Sequence, residues 1–321
     1  MADDDRATSF GPAGWLAAAT AGLGGAALFN RWSAARTERE YPPIGAFVEV
    51  GDTRVHYLDR GVGPPIVLIH GNGSLVEDWV VSGIVDLLAQ RHRVIAFDRP
   101  GFGHSPRPRG TPWTAPRQAA LLADAAAALG VERPLVVGHS WGVLPALAWA
   151  LDRPDTVGAL GLLSGYYYAT PRPDAAFAAL AGAPVIGDLF ANTIAPLQTR
   201  LTGPLGNRII FAPAAPTDAY LDAMPFALML RPGQLRATAA DSGRMPKAAA
   251  DLSPRYADLS LPMAIAWSDG DKLVDQRAQS VRLARELPHA TSDAFAGIGH
   301  MIHHSEPERV AAMLEALAAR R

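Results

Sequence analysis

Gly138-His139-Ser140-Trp141-Gly142 follows the apolar run Leu135-Val136-Val137 and precedes the helix-competent run Val143-Leu144-Pro145-Ala146-Leu147-Ala148. A Gly-x-Ser-x-Gly set between a strand and a helix has a physical meaning. A serine hydroxyl attacks a carbonyl only if a base takes its proton and a pair of donors receives the oxyanion. A sharp strand-to-helix turn exposes the hydroxyl and aims backbone N–H groups beside it, with strained φ/ψ at the serine. Crowding in that turn requires small residues two positions either side, which accounts for Gly138 and Gly142. The bare pattern is common by chance, so its weight comes from the flanks and from partners elsewhere in the chain.

Those partners follow in order. Ile265-Ala266-Trp267 reads as a strand ending in Ser268-Asp269-Gly270-Asp271, and Thr291 to Phe295 as a strand running into Gly297-Ile298-Gly299-His300. An acid after one strand and a histidine after the next converge on the serine if the three strand ends share one edge of a parallel sheet. The order Ser, Asp, His differs from the trypsin-like and subtilisin-like orders. Residues 47–58 read as a hairpin around Gly51-Asp52. Residues 65–69, 93–97 and 160–163 read as buried strands, and 76–90 and 118–129 as helices. This alternation predicts an α/β fold, a largely parallel sheet with helices on both faces. Between 169 and 254 the rhythm changes, with eleven prolines, no convincing buried strand, and apolar patches at 177–181, 209–211 and 224–230.

Four motifs carry a resemblance: His70-Gly71-Asn72-Gly73, Asp98-Arg99-Pro100-Gly101-Phe102-Gly103-His104-Ser105, the turn at 138–142, and Gly299-His300. From about residue 46 to the C-terminus the chain resembles the α/β-hydrolase fold family. That group holds esterases, carbon–carbon bond hydrolases, haloperoxidase-like enzymes, haloalkane dehalogenases and epoxide hydrolases. The resemblance implies a mostly parallel eight-stranded sheet with a helical cap inserted after the sixth strand. Residues 1–45 then form a tail, an apolar helix and a linker; 46–168 and 257–321 form the hydrolase core, and 169–256 the cap.

In this reading Ser140 is the nucleophile, His300 the base and Asp271 the acid that orients it. Asp271 is favoured over Asp269 and Asp275 because it matches the family's strand–loop–Asp pattern. One oxyanion donor is the backbone N–H of Trp141, the residue after the nucleophile; by resemblance the other is the amide of Asn72. The candidates for an apolar pocket wall are Trp113, Trp141 and Tyr166, Tyr167 and Tyr168. His139 and His104 read as structural, and Asp98 as scaffold for the loop around Gly101 and Gly103. His303 and His304 read as lying one turn into the final helix, near the cap or in solvent.

Asn72 and Trp141 also fit a second pattern. In haloalkane dehalogenases an Asn after His-Gly and a Trp after the nucleophile hold the leaving halide. Those enzymes, like epoxide hydrolases, attack with a carboxylate, whereas position 140 is serine. A serine ether has no easy hydrolytic route, but an acyl-serine does. The expected function is a serine hydrolase that cleaves carboxylic esters of small or medium apolar substrates, with no cofactor and no metal. A carbon–carbon bond hydrolase acting on dienoic keto-acids would need a cation in the cap, and Arg200, Arg208, Arg231 and Arg236 keep it open. A non-catalytic ligand-binding homologue is the third reading.

Composition bounds the rest. With 321 residues, 49% of them hydrophobic, and a net charge of −2, the chain can bury one sizeable core and gives no basis for a nucleic-acid partner. The absence of cysteine excludes disulfides, thiolate metal sites and a cysteine nucleophile. Gly11 to Asn30 holds no charge, and Arg31, Arg36 and Arg39 follow. That length suffices to cross a bilayer as a helix, although alanine and glycine dominate it. The positive charge lies after the apolar run, unlike a signal peptide. Residues 11–30 are expected to contact either a membrane or the domain surface. If they span, the arginines favour a cytoplasmic catalytic domain. Thr37 to Pro43 reads as a linker.

Overall fold

The computed structural model describes residues 11–321. The strands are β1 (Ala46–Val50), β2 (Thr53–Arg60), β3 (Pro65–Ile69), β4 (Arg93–Phe97), β5 (Leu135–His139), β6 (Ala159–Leu163), β7 (Met263–Ser268) and β8 (Thr291–Phe295). They form one sheet in the order β1-β2-β4-β3-β5-β6-β7-β8. β1 pairs antiparallel with β2, and β2 with β4; every other neighbouring pair is parallel. The continuous apolar runs at β5 and β6 are buried along their whole length, as strands covered on both faces must be.

Helix α1 (Pro12–Glu40) precedes the sheet. Helices α2 (Glu77–Val81), α3 (Ile84–Leu88), α4 (Ala115–Ala128) and α5 (Val143–Asp152) belong to the first half. Between β6 and β7 lie α6 (Pro173–Ala181), α7 (Ile186–Thr193), α8 (Ala195–Phe211), α9 (Asp218–Ala223), α10 (Phe226–Met229) and α11 (Pro232–Leu252). Helices α12 (Ser280–Glu286), α13 (Ile302–Ser305) and α14 (Pro307–Ala318) complete the chain.

Strand alternation sorts the core into two halves. Val67, Ile69, Ile95 and Phe97 point to the side that α4, α5 and α12 cover, while Ile66, Leu68, Val94 and Ala96 face α3 and α14. Two expectations need correction. The helix expected at 76–90 is split at Gly83, where φ is +82°. α1 also runs on to Glu40, so most of the expected linker is helical.

The two halves of α1 differ. Residues 15–25 are exposed throughout. Residues 26–37 lie against the helices inserted between β6 and β7, where Asn30 Nδ2 donates to Asn192 O and Thr193 O at 2.9 and 3.1 Å.

Candidate active site

Ser140 occupies the turn between β5 and α5 with φ +53°. A Cβ at position 138 would sit 2.5 Å from the Gly142 carbonyl oxygen, and one at 142 would collide with Ile69 O. Backbone passes on both sides of the turn, so neither glycine tolerates a side chain.

The loop after β7 carries Asp271 and the loop after β8 carries His300. His300 Nδ1 donates to Asp271 Oδ2 at 2.7 Å, with both side chains almost wholly buried. Asp271 also accepts from Leu273 N, Val274 N and Gln276 Nε2 at 2.8, 3.0 and 2.7 Å. Burial alone would raise its pKa. The charge and hydrogen bond of His300, with the Gln276 and Val274 bonds, outweigh burial and hold it below the usual value. Asp269 accepts from Gly297 N and Asp275 from Arg277 N, and neither bonds His300.

Because a carboxylate only accepts, Nδ1 carries the proton and Nε2 is the basic nitrogen of His300. That Nε2 is buried with no hydrogen-bond partner, so it is not bonded to Ser140 Oγ. The two residues nevertheless share one cavity of about 320 Å³, together with Asn72 and with Thr199, Gly206 and Asn207 of α8.

Beneath this pair lies a cluster of buried imidazoles. His139 Nε2 donates to His300 O at 3.3 Å, and the two rings are 5.0 Å apart. Burial, then the nearby His303 and His300, keep the His139 pKa well below its ordinary value. His303 and His304 donate through Nε2 to Asp78 at 3.2 and 2.7 Å. Both are buried on the short α13 ahead of the final helix, not in solvent, and His304 packs near the inserted segment, its ring 5.8 Å from Phe211 and 5.0 Å from Tyr220. Asp78, His139 and His303 bring potential ligand atoms within 4.8 Å of one another. Both Asp78 oxygens are already occupied by imidazole donors, so hydrogen bonds account for the grouping.

A second network fixes the residues flanking the cavity. Arg99, fully buried, donates through Nε to His70 O and through Nη2 to Gly71 O, each at 3.0 Å. Its Nη1 pairs with Asp241 Oδ2 of α11 at 2.6 Å, and Arg107 Nη2 pairs with Asp241 Oδ1 at 2.8 Å. Trp141 Nε1 donates to Asp241 O at 3.0 Å. Asn72 Nδ2 donates to Thr238 O at 3.1 Å and to Ser242 Oγ at 2.7 Å. One stretch of α11 thus grips the loop after β3 and the residue after Ser140.

His70 in this loop must be neutral. Its Nε2 accepts from Arg99 N at 3.0 Å, so the proton sits on Nδ1 and goes to Gly71 O at 2.7 Å. Burial, then the Arg99 charge, lower its pKa from 6.5 to about 4. The unfolded chain therefore binds the extra proton between those values, and stability rises with pH across that window. Stability is complete above pH 6.5 and is lost as pH falls toward 4. At about 1.36 kcal/mol per pH unit, His70 contributes about 3 kcal/mol. Urea unfolding at pH 7 and pH 4.5 should show that loss, reduced in His70→Gln; equal stability at the two values would contradict it.

A family model for the alpha/beta hydrolase fold matches residues 64–307. The chain belongs to the α/β-hydrolase fold family. Among curated relatives, haloalkane dehalogenase 2 of Mycobacterium tuberculosis is 33% identical over 128 residues, 40% of this chain and 44% of that one. The chain thus spans less than half of that relative's length. A 2-hydroxy-6-oxononadienedioate/2-hydroxy-6-oxononatrienedioate hydrolase of Paraburkholderia phymatum is 29% identical over 82% of this chain and 90% of its own length. Among solved structures, a membrane phospholipase A described as a bacterial virulence factor superposes with a TM-score of 0.66. It shares 24% identity and covers 95% of each chain.

The expected pocket residues lie elsewhere in the fold. Trp113 is buried and donates through Nε1 to Pro108 O at 3.0 Å. Tyr166 is buried with its hydroxyl on Thr170, and Tyr167 is buried in the main core beside Tyr256. None of the three lines the Ser140 cavity. Tyr168 points elsewhere, its hydroxyl donating to Glu286 at 2.6 Å. The Trp141 indole is turned into α11 and stacked by the Arg99 guanidinium 4.3 Å from its centroid, so its ring is not a pocket wall. Of the three apolar patches between 169 and 254, the one at 177–181 lies outward, with Phe177 and Leu180 exposed.

Tyr220 and Met229 of the inserted segment do line the cavity, and α8 does so through Thr199, Thr202, Gly203, Gly206, Asn207 and Ile210. Their spacing of three and four residues marks one helix face. Asp98 does act as scaffold, accepting from Val76 N, His104 N and His56 Nδ1.

Proposed function

We propose that this protein is a serine hydrolase that cleaves carboxylic esters through an acyl-serine intermediate. The observation that carries the reading is one cavity containing both Ser140 and a His300 whose Nδ1 is held by Asp271 and whose basic Nε2 is unpartnered.

Ser140 Oγ attacks the ester carbonyl while His300 Nε2 takes its proton. Asp271 keeps the proton on Nδ1 and stabilises the imidazolium that forms. The main-chain N–H groups of Asn72 and Trp141 receive the oxyanion. The intermediate collapses, His300 returns the proton to the departing alcohol, and the acyl group stays on Ser140. Water then attacks the acyl-serine with His300 as base, releasing the acid and restoring the hydroxyl.

Two relatives suggest other chemistries, and the side chains argue against both. Halide binding would need the Asn72 amide and the Trp141 indole free, but both are spent on α11. A dienoic keto-acid with a second carboxylate would need a cation in the cavity, and among the described residues no arginine or lysine lines it. Arg231 pairs with Glu38 and Arg236 with Asp188, while Arg200 lies against α1. Arg208 is exposed.

The helices inserted between β6 and β7 act as a cap in this reading, and α8 sets acyl length. A Cβ at Gly206 meets nothing within 4 Å, so the glycine leaves open space in the cavity. Gly206→Leu should lower kcat/KM for an octanoate ester by roughly 10–200-fold and leave an acetate ester nearly unchanged. Steady-state assays of p-nitrophenyl esters of increasing chain length test this. An equal loss for both esters would show that position 206 does not bound the acyl group.

A further inference from the structure

Large apolar side chains on the outside of this protein are concentrated in one region. Among the described residues, 21 are exposed; six lie on α1 and ten on residues 177–209. Scattered exposed apolar residues are ordinary, but a contiguous apolar surface marks a partner.

α8 shows how that surface relates to the chemistry. Its inner face lines the Ser140 cavity through residues 199, 202, 203, 206, 207 and 210. Its opposite side carries Leu197, Leu201 and Leu205, exposed at 62%, 73% and 61%. The usual polarity of a surface helix is reversed, with small and polar residues inward and leucines outward. A single helix therefore separates the candidate catalytic cavity from the apolar exterior. Gly203, Pro204 and Gly206 weaken that helix where it covers the cavity.

α1 bears on what that partner is. It is long and apolar enough to cross a bilayer, and its most apolar window is not buried at all. Trp15 and Trp32, both exposed, lie 17 residues apart, about 26 Å along a helix. That spacing suits the two interfacial belts of a bilayer, whose hydrocarbon core is about 30 Å thick. Arg31, Arg36 and Arg39 follow at the second belt, where basic residues meet anionic headgroups. Asn30, at that level, is bonded to the start of the α7–α8 turn. The inserted helices thus sit where α1 would leave the membrane, with Arg200 and Arg208 on α8 beside the leucines.

We propose that the outer face of α6–α8 seats on a lipid bilayer that α1 enters, and that α8 admits lipophilic esters from the lipid into the Ser140 cavity. The substrate class rests on the ester-hydrolase reading; the docking itself does not.

The lack of cysteine makes a clean test. Full-length chains carrying Leu201→Cys, or Val62→Cys as a distant exposed control, are labelled with an environment-sensitive fluorophore. They are then mixed with vesicles of phosphatidylcholine and phosphatidylglycerol. Emission from position 201 should shift to the blue and intensify, while position 62 stays water-like. An unshifted position 201, or equal responses from the two, overturns docking. A shift without vesicles that grows with protein concentration also overturns it, in favour of a second copy of the chain.

A separate arm uses Leu201→Asp combined with Leu205→Asp, two exposed sites whose change should not disturb folding. Turnover of a long-chain ester embedded in vesicles should fall roughly tenfold or more, with p-nitrophenyl butyrate turnover in water unchanged. Unchanged vesicle turnover overturns access through α8. No turnover of any ester by the parent chain refutes the ester reading alone, leaving the fluorescence result to decide docking.

Discussion

Ser140→Ala lowers kcat for a water-soluble ester by roughly 10⁴- to 10⁶-fold and leaves the fold intact. The hydroxyl lines a cavity and has no structural hydrogen bond to lose, so the substitution removes chemistry and little else. Ser140→Gly sharpens the test. A non-glycine residue at φ +53° stores strain of order 1–3 kcal/mol, and glycine releases it. Ser140→Gly should therefore be as inactive as the alanine variant yet melt at an equal or higher temperature. Activity within tenfold of the parent in either variant would remove Ser140 from the nucleophile's role.

Asp241→Ala should have the second largest effect, and it should appear in both stability and rate. Asp241 is fully buried and balances Arg99, also fully buried, and Arg107. Removing one partner of a buried pair leaves an uncompensated charge, which costs about 3–5 kcal/mol. The rate effect comes through position. Arg99 holds the carbonyls of His70 and Gly71, and these precede Asn72, the proposed oxyanion donor. If that donor drifts, kcat falls by roughly 10²- to 10³-fold while KM changes little, because the cavity wall is built by α8. Asp241→Asn keeps one acceptor oxygen and should lose less of both. A purely structural role predicts lower stability but a normal kcat for the folded fraction, so kcat normalised to fluorophosphonate-titrated sites separates the two.

The turn at 138–142 was legible because its constraint is local: backbone crowding admits nothing but glycine beside a strained serine. The three loops that approach one another were legible for a similar reason, since buried strands announce themselves as apolar runs and a parallel sheet aligns their ends. Asp241 was not legible. It lies 142 residues from Arg99, on a helix whose other residues suggest only an alanine-rich surface, and no local pattern signals such a pairing. Asp78 escaped notice in the same way, because its partners His303 and His304 arrive from the far end of the chain.

The pocket was misread for a different physical reason. Trp113 sits in a proline-rich polar stretch and Tyr166 and Tyr167 follow a buried strand, and an aromatic ring buried in the core looks the same in sequence as one facing a ligand. α8 defeats the ordinary rule outright, because its leucines point outward. A pattern reader places Leu197, Leu201 and Leu205 inside, whereas Thr199, Gly206 and Asn207 face the cavity. The proposed docking accounts for that inversion, since a helix between a reactive cavity and lipid has no use for a polar exterior.

The most direct measurement is peptide mapping by mass spectrometry after brief mixing with an alkyl fluorophosphonate. The acyl-serine account predicts stoichiometric phosphonylation of Ser140, loss of ester turnover in step with labelling, and no label in Ser140→Ala. An active enzyme that remains unlabelled, or carries the phosphonate on another residue, would contradict it.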